Sequence, residues 1–245
     1  MYSRYTDYIR TAIKSNNLTN FKNHPSYTYM LEHVNQEQGT EYLKLIKSST
    51  DISHDEIVSY CNLNDSIGNP TKVICGEINT SPTSLRYVWQ AHLILEWFRT
   101  HSEDSYDIIE LGGGYGGLCL AIYFFSKKYG IIINSYTIVD LKDPIQLQRL
   151  YLNNHQDTIE QNSLKFVDSS EFGKDIIGNN FYLVSNYCFS EIDKSLQKQY
   201  ITNLFGKVIH GFMAWNNIDV YDFGFETKIT EETPKTGKYN KFVYF

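Results

Sequence analysis

The sequence of 245 residues predicts an α/β fold whose central sheet is doubly wound and mostly parallel. Two observations support this prediction. From residue 105 onward, short apolar runs of strand length alternate with longer runs of helical period, a pattern typical of βαβ units. The last two strand-like runs flank the turn-forming segment TPKTG (233–237), so the final sheet strand is expected to be antiparallel.

The predicted elements follow one another without a long break. Gly130 is expected to end the first helix, and Pro144 is expected at the first position of the second. In chain order, the elements are strand 106–111, helix 116–130, strand 131–140, helix 144–154, strands 164–168 and 181–186, helix 195–205 and strand 207–216, followed by the hairpin. Together they predict a Rossmann-like sheet with an antiparallel C-terminal hairpin strand.

The chain before this pattern is expected to form a separate part. Residues 1–104 are predicted to be a helical N-terminal cap or substrate region, and residues 105–245 the Rossmann-like core. Apolar side chains recur at helical spacing in 27–46 and again from Thr83 to residue 101. Segment 62–87 between them is rich in turn-forming residues.

Composition and charge exclude several classes of function. The net charge of −6 and the absence of a Lys/Arg run disfavour a nucleic-acid partner. The four cysteines are widely spaced, which indicates reduced thiols rather than a disulfide framework. The N-terminus has no apolar signal segment, and the longest apolar run, 118–125, is too short to span a membrane. We therefore expect a cytoplasmic protein.

The most informative motif is a glycine-rich turn between the first strand and the first helix. Gly112, Gly114 and Gly117 have the spacing G-x-G-x-x-G. Such a turn places backbone N–H groups and a helix N-terminus beside a ligand, and a Cβ there would block the approach. On this motif alone, NAD, FAD, S-adenosylmethionine and a turn without any ligand all remain open.

Three acids end three successive predicted strands beside this turn: Glu110, Asp140 and Asp168. Glu110 would repel a dinucleotide pyrophosphate but can pair with the cationic end of a sulfonium amino-acid cofactor. Asp140 is placed to bind ribose hydroxyls, and Asp168 to bind the adenine amino group. Strand-end aspartates also often cap helices, which is the alternative for each.

The segment ELGGGYG (110–116) resembles the first motif of class I S-adenosylmethionine-dependent methyltransferases, E/D-x-G-x-G-x-G. Over nearly the whole chain, the blocks SPTSLRY (81–87), ELGGGYGGL (110–118), SNYCFSEI (185–192) and ETPKTGKYN (232–240) are similar to a family of sugar O-methyltransferases from polysaccharide gene clusters. The resemblance implies methyl transfer from S-adenosylmethionine to a hydroxyl of a sugar or nucleotide sugar in capsule or glycan synthesis, with S-adenosylhomocysteine as product. It leaves homo-oligomer formation open.

The expected cofactor contacts lie at the ends of the first four strands of the core. They are Glu110, Gly112, Gly113, Gly114, Tyr115, Gly116, Asp140, Leu141, Asp168, Ser169, Ser185 and Asn186.

Catalytic groups are expected after the fourth strand, because a sugar hydroxyl needs help to lose its proton. Glu191 is the candidate base or orienting carboxylate, and its alternative role is to cap the helix that starts near Asp193. Asn186 is the second candidate; it stands where an acid is often found, so no metal ligand is expected. A histidine of the cap is another possible base, because spacing alone does not exclude one.

The substrate is expected to meet aromatic, amide and cationic side chains. Trp215 could stack on a sugar or be a core residue, and Arg86 could bind a phosphate or form a surface salt bridge. The candidates are Tyr187, Ser190, Trp215, Asn216, Arg86 and Tyr87.

Two rival functions use the same features. An NAD(P)-dependent oxidoreductase predicts an acid about twenty residues past the turn, and Asp140 is further away than that. A methyltransferase fold that has lost activity and acts as a binding subunit would be free to lose Glu110, Asp140 and Asp168, all of which are present.

Overall fold

The computed structural model describes residues 2–15, 17–101 and 105–245. Its strands include the runs that the sequence predicts, and the three at the centre are almost wholly buried, as expected of parallel strands covered on both faces. They are β1 (Val73–Cys75), β2 (Ile78–Thr80), β3 (Ser105–Leu111), β4 (Ile132–Asp140), β5 (Leu164–Asp168), β6 (Phe181–Asn186), β7 (Val208–Trp215), β8 (Lys228–Glu231) and β9 (Lys241–Tyr244).

The main sheet has the order β5-β4-β3-β6-β7-β9-β8. The pairs from β5 to β7 are parallel, whereas β9 pairs antiparallel with both β7 and β8. The predicted Rossmann-like fold with an antiparallel C-terminal hairpin is therefore confirmed. Strand order reverses between β3 and β6, which opens a crevice at the carboxyl ends of these strands.

The helices of the described residues are α1 (Tyr2–Lys14), α2 (Pro25–Thr28), α3 (Gln36–Ser49), α4 (His54–Asp65), α5 (Pro82–His101), α6 (Gly117–Tyr129), α7 (Lys142–Asn153) and α8 (Lys194–Asn203). Reciprocal capping boxes begin α3, through Asn35 and Gln38, and α4, through Ser53 and Glu56. Gly130 ends α6 in the left-handed conformation, as predicted.

Two local predictions were wrong. Pro144 is the third residue of α7 rather than the first; N–H groups throughout the first turn lack an intrahelical partner, so proline is tolerated there. The turn-rich segment 62–87 contains the β1–β2 hairpin, whose strands of three residues are too short to show a period.

One hydrophobic core joins the N-terminal helices to the sheet. Tyr42 of α3, Ile57 of α4 and Leu85 of α5 are fully buried in the same cluster as Ile108 of β3. A second cluster, which includes Trp215, covers the other face of the sheet. The boundary predicted at residue 104 falls on residues 102–104, outside the described residues.

Candidate functional site

A cavity of about 880 Å³ lies at the reversal of strand order, where the carboxyl ends of β3, β4 and β6 meet. The glycine turn and the loops after β5, β6 and β7 line it, and residues of the N-terminal segment and of the loop before β9 complete it. This place and size are typical of a site for a ligand of nucleoside size or larger.

Glu110 of β3 lies in the cavity wall with only 1% of its surface exposed. Its Oε2 accepts a hydrogen bond from the Tyr136 hydroxyl at 3.0 Å. Burial, assisted by the charge of Asp140, raises the pKa of Glu110 to about 8 despite that hydrogen bond. Among the described residues, Glu110 takes part in no ion pair. A cationic ligand group would stabilise its ionised form.

The turn after β3 needs glycine for two different reasons. Gly112 has a φ of +75°, and a Cβ on it would lie 2.4 Å from Sγ of Cys188. Gly114 has a φ of +58°, and the nearest atom to a Cβ there belongs to Leu31 at 3.4 Å. Gly112 therefore allows close packing, whereas Gly114 keeps the turn open toward the cavity that it lines.

Asp140 ends β4 and also lines the cavity, beside the half-exposed Leu141. Its Oδ1 accepts the backbone N–H of Leu141 and its Oδ2 accepts Nε2 of Gln148, both at 2.7 Å. Gln148 also donates to the carbonyl of Gly114 at 3.1 Å, so it ties the acid to the glycine turn. Burial raises the pKa of Asp140 to about 6. Each carboxylate oxygen still has a lone pair for a ligand hydroxyl.

The contact of Asp168 with a ligand remains a prediction. Its Oδ1 accepts the backbone N–H of Ser170 at 2.9 Å and caps a short 3-10 turn, which was the alternative role. Asp168 does not line the cavity, whereas Ser169, Ser170 and Phe172 of that turn do.

Three further predicted cofactor residues also lie away from the cavity. Tyr115 is fully buried among aromatic side chains, and its hydroxyl accepts from Asn64 at 3.1 Å. Gly116 is the N-cap of α6 and packs on Leu152. The Ser185 hydroxyl accepts the backbone N–H of Phe189 at 2.9 Å. These three residues do not line the cavity because the chain turns into the core after Gly114 and before Asn186, and their cofactor contacts remain predictions.

The loop after β6 contributes Asn186 and Tyr187 to the cavity wall. The amide of Asn186 pairs with that of Gln90 through two hydrogen bonds, at 2.9 and 3.1 Å. Tyr187 has a φ of +56° and donates its hydroxyl proton to the fully buried carboxylate of Glu232. Glu232 also accepts the backbone N–H and the hydroxyl of Thr236, at 2.9 and 2.7 Å.

Glu191 and Asn216 lie together at the rim of the cavity. Both are predicted to lie near the substrate. Asn216 Nδ2 donates to Glu191 Oε1 at 3.2 Å, and both residues line the cavity. The cap of α8 is Asp193, whose Oδ1 accepts the backbone N–H of Ser195 at 2.8 Å. The alternative role of Glu191 as helix cap was therefore wrong.

The remaining substrate candidates fall into two groups, one buried away from the cavity and one in its wall. Trp215 is fully buried in the second core cluster, stacked on Phe223, and Ser190 is also buried. Neither lines the cavity, and their substrate contacts remain predictions. Trp215 faces the core at the end of β7, along which side chains alternate between the two faces of the sheet. Tyr87 and Arg86 do line it.

Arg86 is 2% exposed, which rules out the surface salt bridge that was its alternative role. Its Nη2 donates to the carbonyl of Leu31 at 3.2 Å, and its Nη1 lies 3.4 Å from Nε2 of His33. Burial and the charge of Arg86 together lower the pKa of His33 to about 4.

Sequence reasoning missed the residues that close the cavity from distant parts of the chain. Only the tertiary fold brings them to the strand ends, although three of them lie in the block ETPKTGKYN (232–240) and a cap histidine was already a possible base. The N-terminal part supplies Tyr5, Met30, Leu31 and His33, and the loop before β9 supplies Thr236, Gly237 and Asn240. No helix of the described ranges has the length and apolarity to cross a membrane.

Comparisons with known proteins give structural likeness only. No family model matches the chain, and no curated protein matches it. Among solved structures, the chain is similar to the methyltransferase domain of bacterial CtHen1-CN, with 11% identity, a TM-score of 0.48, and coverage of 64% of this chain and 96% of that one.

Two further likenesses cover about half of the matched chains. An O-methyltransferase family protein from Burkholderia thailandensis has 11% identity and a TM-score of 0.47, over 66% of this chain and 56% of that one. The glycopeptide N-methyltransferase MtfA complexed with sinefungin has 14% identity and a TM-score of 0.38, over 49% of this chain and 48% of that one.

Proposed function

We propose that this protein is an S-adenosylmethionine-dependent methyltransferase. The observation that carries the proposal is the joint placement of buried Glu110, open Gly114 and Asp140 in one cavity at the reversal of strand order. An acid, a bare backbone and a second acid suit a ligand with a cationic amino-acid end and a ribose end.

The side chains fit this cofactor group by group. The carboxylate of Glu110 would pair with the cationic amino-acid portion, and Asp140 would accept the ribose hydroxyls. Leu141, Ser169 and Phe172 would surround the adenine, since they line the cavity beyond Asp140. When bound, the cofactor supplies an electrophilic methyl carbon on a sulfonium centre.

The same geometry disfavours the NAD(P) oxidoreductase. A pyrophosphate at the turn would lie against the carboxyl of Glu110. No cationic side chain of the described residues forms an ion pair with that carboxyl. Gly117, the last glycine of the dinucleotide spacing, begins α6 and packs on Tyr87, so a Cβ there would lie 2.4 Å from that ring. Helix packing therefore explains why position 117 is a glycine, without a bound pyrophosphate.

We further propose that the acceptor is a hydroxyl of a sugar or nucleotide sugar, and that the reaction serves polysaccharide synthesis in the cytoplasm. The blocks that resemble sugar O-methyltransferases support this, as do the amide and hydroxyl groups of Asn186, Tyr187 and Asn216 in the cavity wall. Glu191 accepts the hydroxyl proton while the acceptor oxygen attacks the methyl carbon and the carbon–sulfur bond breaks. Asn216 holds the carboxylate of Glu191 toward the rim.

A product-detecting methyl-transfer screen tests this function. The purified protein, S-adenosylmethionine and a panel of free and nucleotide-linked sugars are incubated, and mass spectrometry detects a sugar heavier by one methylene group. We expect such a product, formed far more slowly by the Glu191→Gln variant. Binding of the cofactor without any methylated sugar would contradict the sugar assignment while leaving the methyltransferase assignment intact.

A further inference from the structure

The helix that precedes the sheet carries a buried cation into the cavity wall. Arg86, in the second turn of α5, is 2% exposed and lines the cavity. An arginine side chain stays protonated in proteins, so its charge cannot be removed by losing a proton. A buried charge is unfavourable unless an opposite charge or several hydrogen bonds compensate it.

The groups that contact Arg86 are uncharged. Nη2 donates to the Leu31 carbonyl, and Nη1 faces the His33 ring, which is neutral near pH 7 because its pKa is lowered to about 4. Within the described part of the chain, Nε has no hydrogen-bond partner. The guanidinium therefore keeps unused hydrogen-bonding capacity.

Neither of the two acids near this wall forms an ion pair with Arg86 in the described residues. The half-buried Glu32 accepts a hydrogen bond from the Ser81 hydroxyl at 2.7 Å. The carboxylate of Glu232 accepts hydrogen bonds from Tyr187 and Thr236. No ion pair between Arg86 and a carboxylate is present among the described residues.

We propose that Arg86 binds a carboxylate or phosphate group of the methyl acceptor, so that the substrates are acidic sugars: uronic acids or sugar phosphates, including nucleotide-linked ones. The inference rests on the proposed methyltransferase function. The planar fork of a guanidinium matches either anion through two hydrogen bonds.

The position of Arg86 favours the acceptor over the cofactor's own α-carboxylate as the source of the anion. Its guanidinium carbon lies 6.0 Å from the centre of the Tyr187 ring, and Tyr187 follows β6. Tyr187 belongs to the wall where the acceptor hydroxyl is proposed to bind, so we assign the anion to the acceptor. The cofactor's α-carboxylate would lie beside Glu110 of β3, which pairs with β6, and the titration below distinguishes the two sources.

Isothermal titration of the protein saturated with S-adenosylhomocysteine tests the assignment. The probes are inorganic phosphate, glucuronate and, as the uncharged control, glucose. We expect Arg86→Gln to weaken phosphate and glucuronate binding at least ~10-fold, as for a lost charge-assisted hydrogen bond, and Arg86→Lys to weaken it less. Arg99→Gln is the matched control, since Arg99 pairs with Glu96 on the surface of α5.

Three results would overturn the proposal: no binding of either anion to the wild type, equal binding to Arg86→Gln, or binding of glucose as strong as that of glucuronate. A loss of affinity for S-adenosylhomocysteine in Arg86→Gln, without a loss for 5′-methylthioadenosine, would assign the guanidinium to the cofactor carboxylate instead. Near-UV circular dichroism checks folding; if Arg86→Gln does not fold, the comparison is made with Arg86→Lys.

The proposed function can fail separately from this inference. If the wild type does not bind S-adenosylhomocysteine, the methyltransferase assignment fails. The same anion titrations on the protein without the cofactor then decide whether Arg86 binds an anion at all.

Discussion

The cavity has two walls that are built differently. The strand-end wall consists of Glu110, Gly112–Gly114, Asp140 and Leu141, from one contiguous βαβ unit. The acceptor wall consists of Arg86, Asn186, Tyr187, Glu191 and Asn216, from three distant parts of the chain. Buried acids dominate the first wall, whereas the second combines a buried cation with amides and a rim carboxylate. The difference matches a cationic cofactor on one side and an acidic acceptor on the other.

Among the substitutions that test the difference between the two walls, the largest effect on activity is expected at Glu191. Replacing Glu191 by Gln removes the proposed proton acceptor, so turnover should fall by about 10²–10⁴-fold, the usual contribution of a general base. Affinity for S-adenosylhomocysteine should stay the same, because Glu191 lies in the acceptor wall. Steady-state kinetics and titration calorimetry measure both quantities.

Glu171→Gln is the control for Glu191→Gln, since Glu171 is also exposed near this end of the sheet but does not line the cavity. Unchanged turnover in Glu191→Gln would remove Glu191 from the base role and direct attention to the cap histidines.

Replacing Trp215 should lower the stability of the protein without affecting binding at either wall of the cavity. Trp215→Ala deletes a fully buried indole from the second core cluster, so the free energy of unfolding should fall by about 3–5 kcal/mol. Denaturant unfolding measures this loss. In the protein that remains folded, the KM for the acceptor should be unchanged; a selective rise in KM would restore Trp215 to the substrate site.

Glu110 should control cofactor binding in the strand-end wall. Glu110→Gln should weaken binding of S-adenosylhomocysteine by about 10–100-fold, because a charge-assisted contact in a buried site is lost. In the free wild type the pKa of Glu110 is about 8, so the carboxyl must lose a proton to pair with a cationic ligand. Affinity should therefore rise from pH 6 to pH 8 in the wild type, and this slope should be smaller in the variant.

The same substitution should stabilise the free protein. Folding raises the pKa of Glu110 from 4.5 to about 8, so its contribution to stability is fully present below pH 4.5 and is lost as the pH rises through 8. Glu110→Gln does not undergo this loss, and at pH 8 its free energy of unfolding should exceed that of the wild type by about 1–3 kcal/mol. Weaker binding together with lower stability would instead indicate a damaged fold.

The smallest effect is expected where the cap meets the core. Arg10 of α1 pairs with Asp143 of α7 at 2.6 Å, and the two side chains are 49% and 18% exposed. Arg10→Ala should lower the melting temperature no more than Arg99→Ala does, because exposed ion pairs contribute little to stability. Thermal unfolding of both variants checks this. A clearly larger loss in Arg10→Ala would show that this ion pair is a principal anchor of α1.

The two walls also differ in how far the sequence could predict them. Glu110, the glycine turn and Asp140 lie where strands end, and strand ends can be recognised from local apolar runs. For Asp168 the sequence could not decide between two roles, because a strand-end aspartate that caps a turn has the same local pattern as one that faces a ligand. Met30, Leu31 and His33 reach the cavity only through tertiary packing, and no local pattern places them there. Burial also distinguishes between the alternative roles of Trp215 and of Arg86. The sequence could not predict it, because burial depends on which elements pack together.

Titration calorimetry of the wild-type protein with S-adenosylhomocysteine and, separately, with NAD⁺ tests the central claim most directly. Glu110, Gly114 and Asp140 predict binding of S-adenosylhomocysteine, with affinity that rises from pH 6 to pH 8, and no measurable binding of NAD⁺. Binding of NAD⁺ without binding of S-adenosylhomocysteine would contradict the claim.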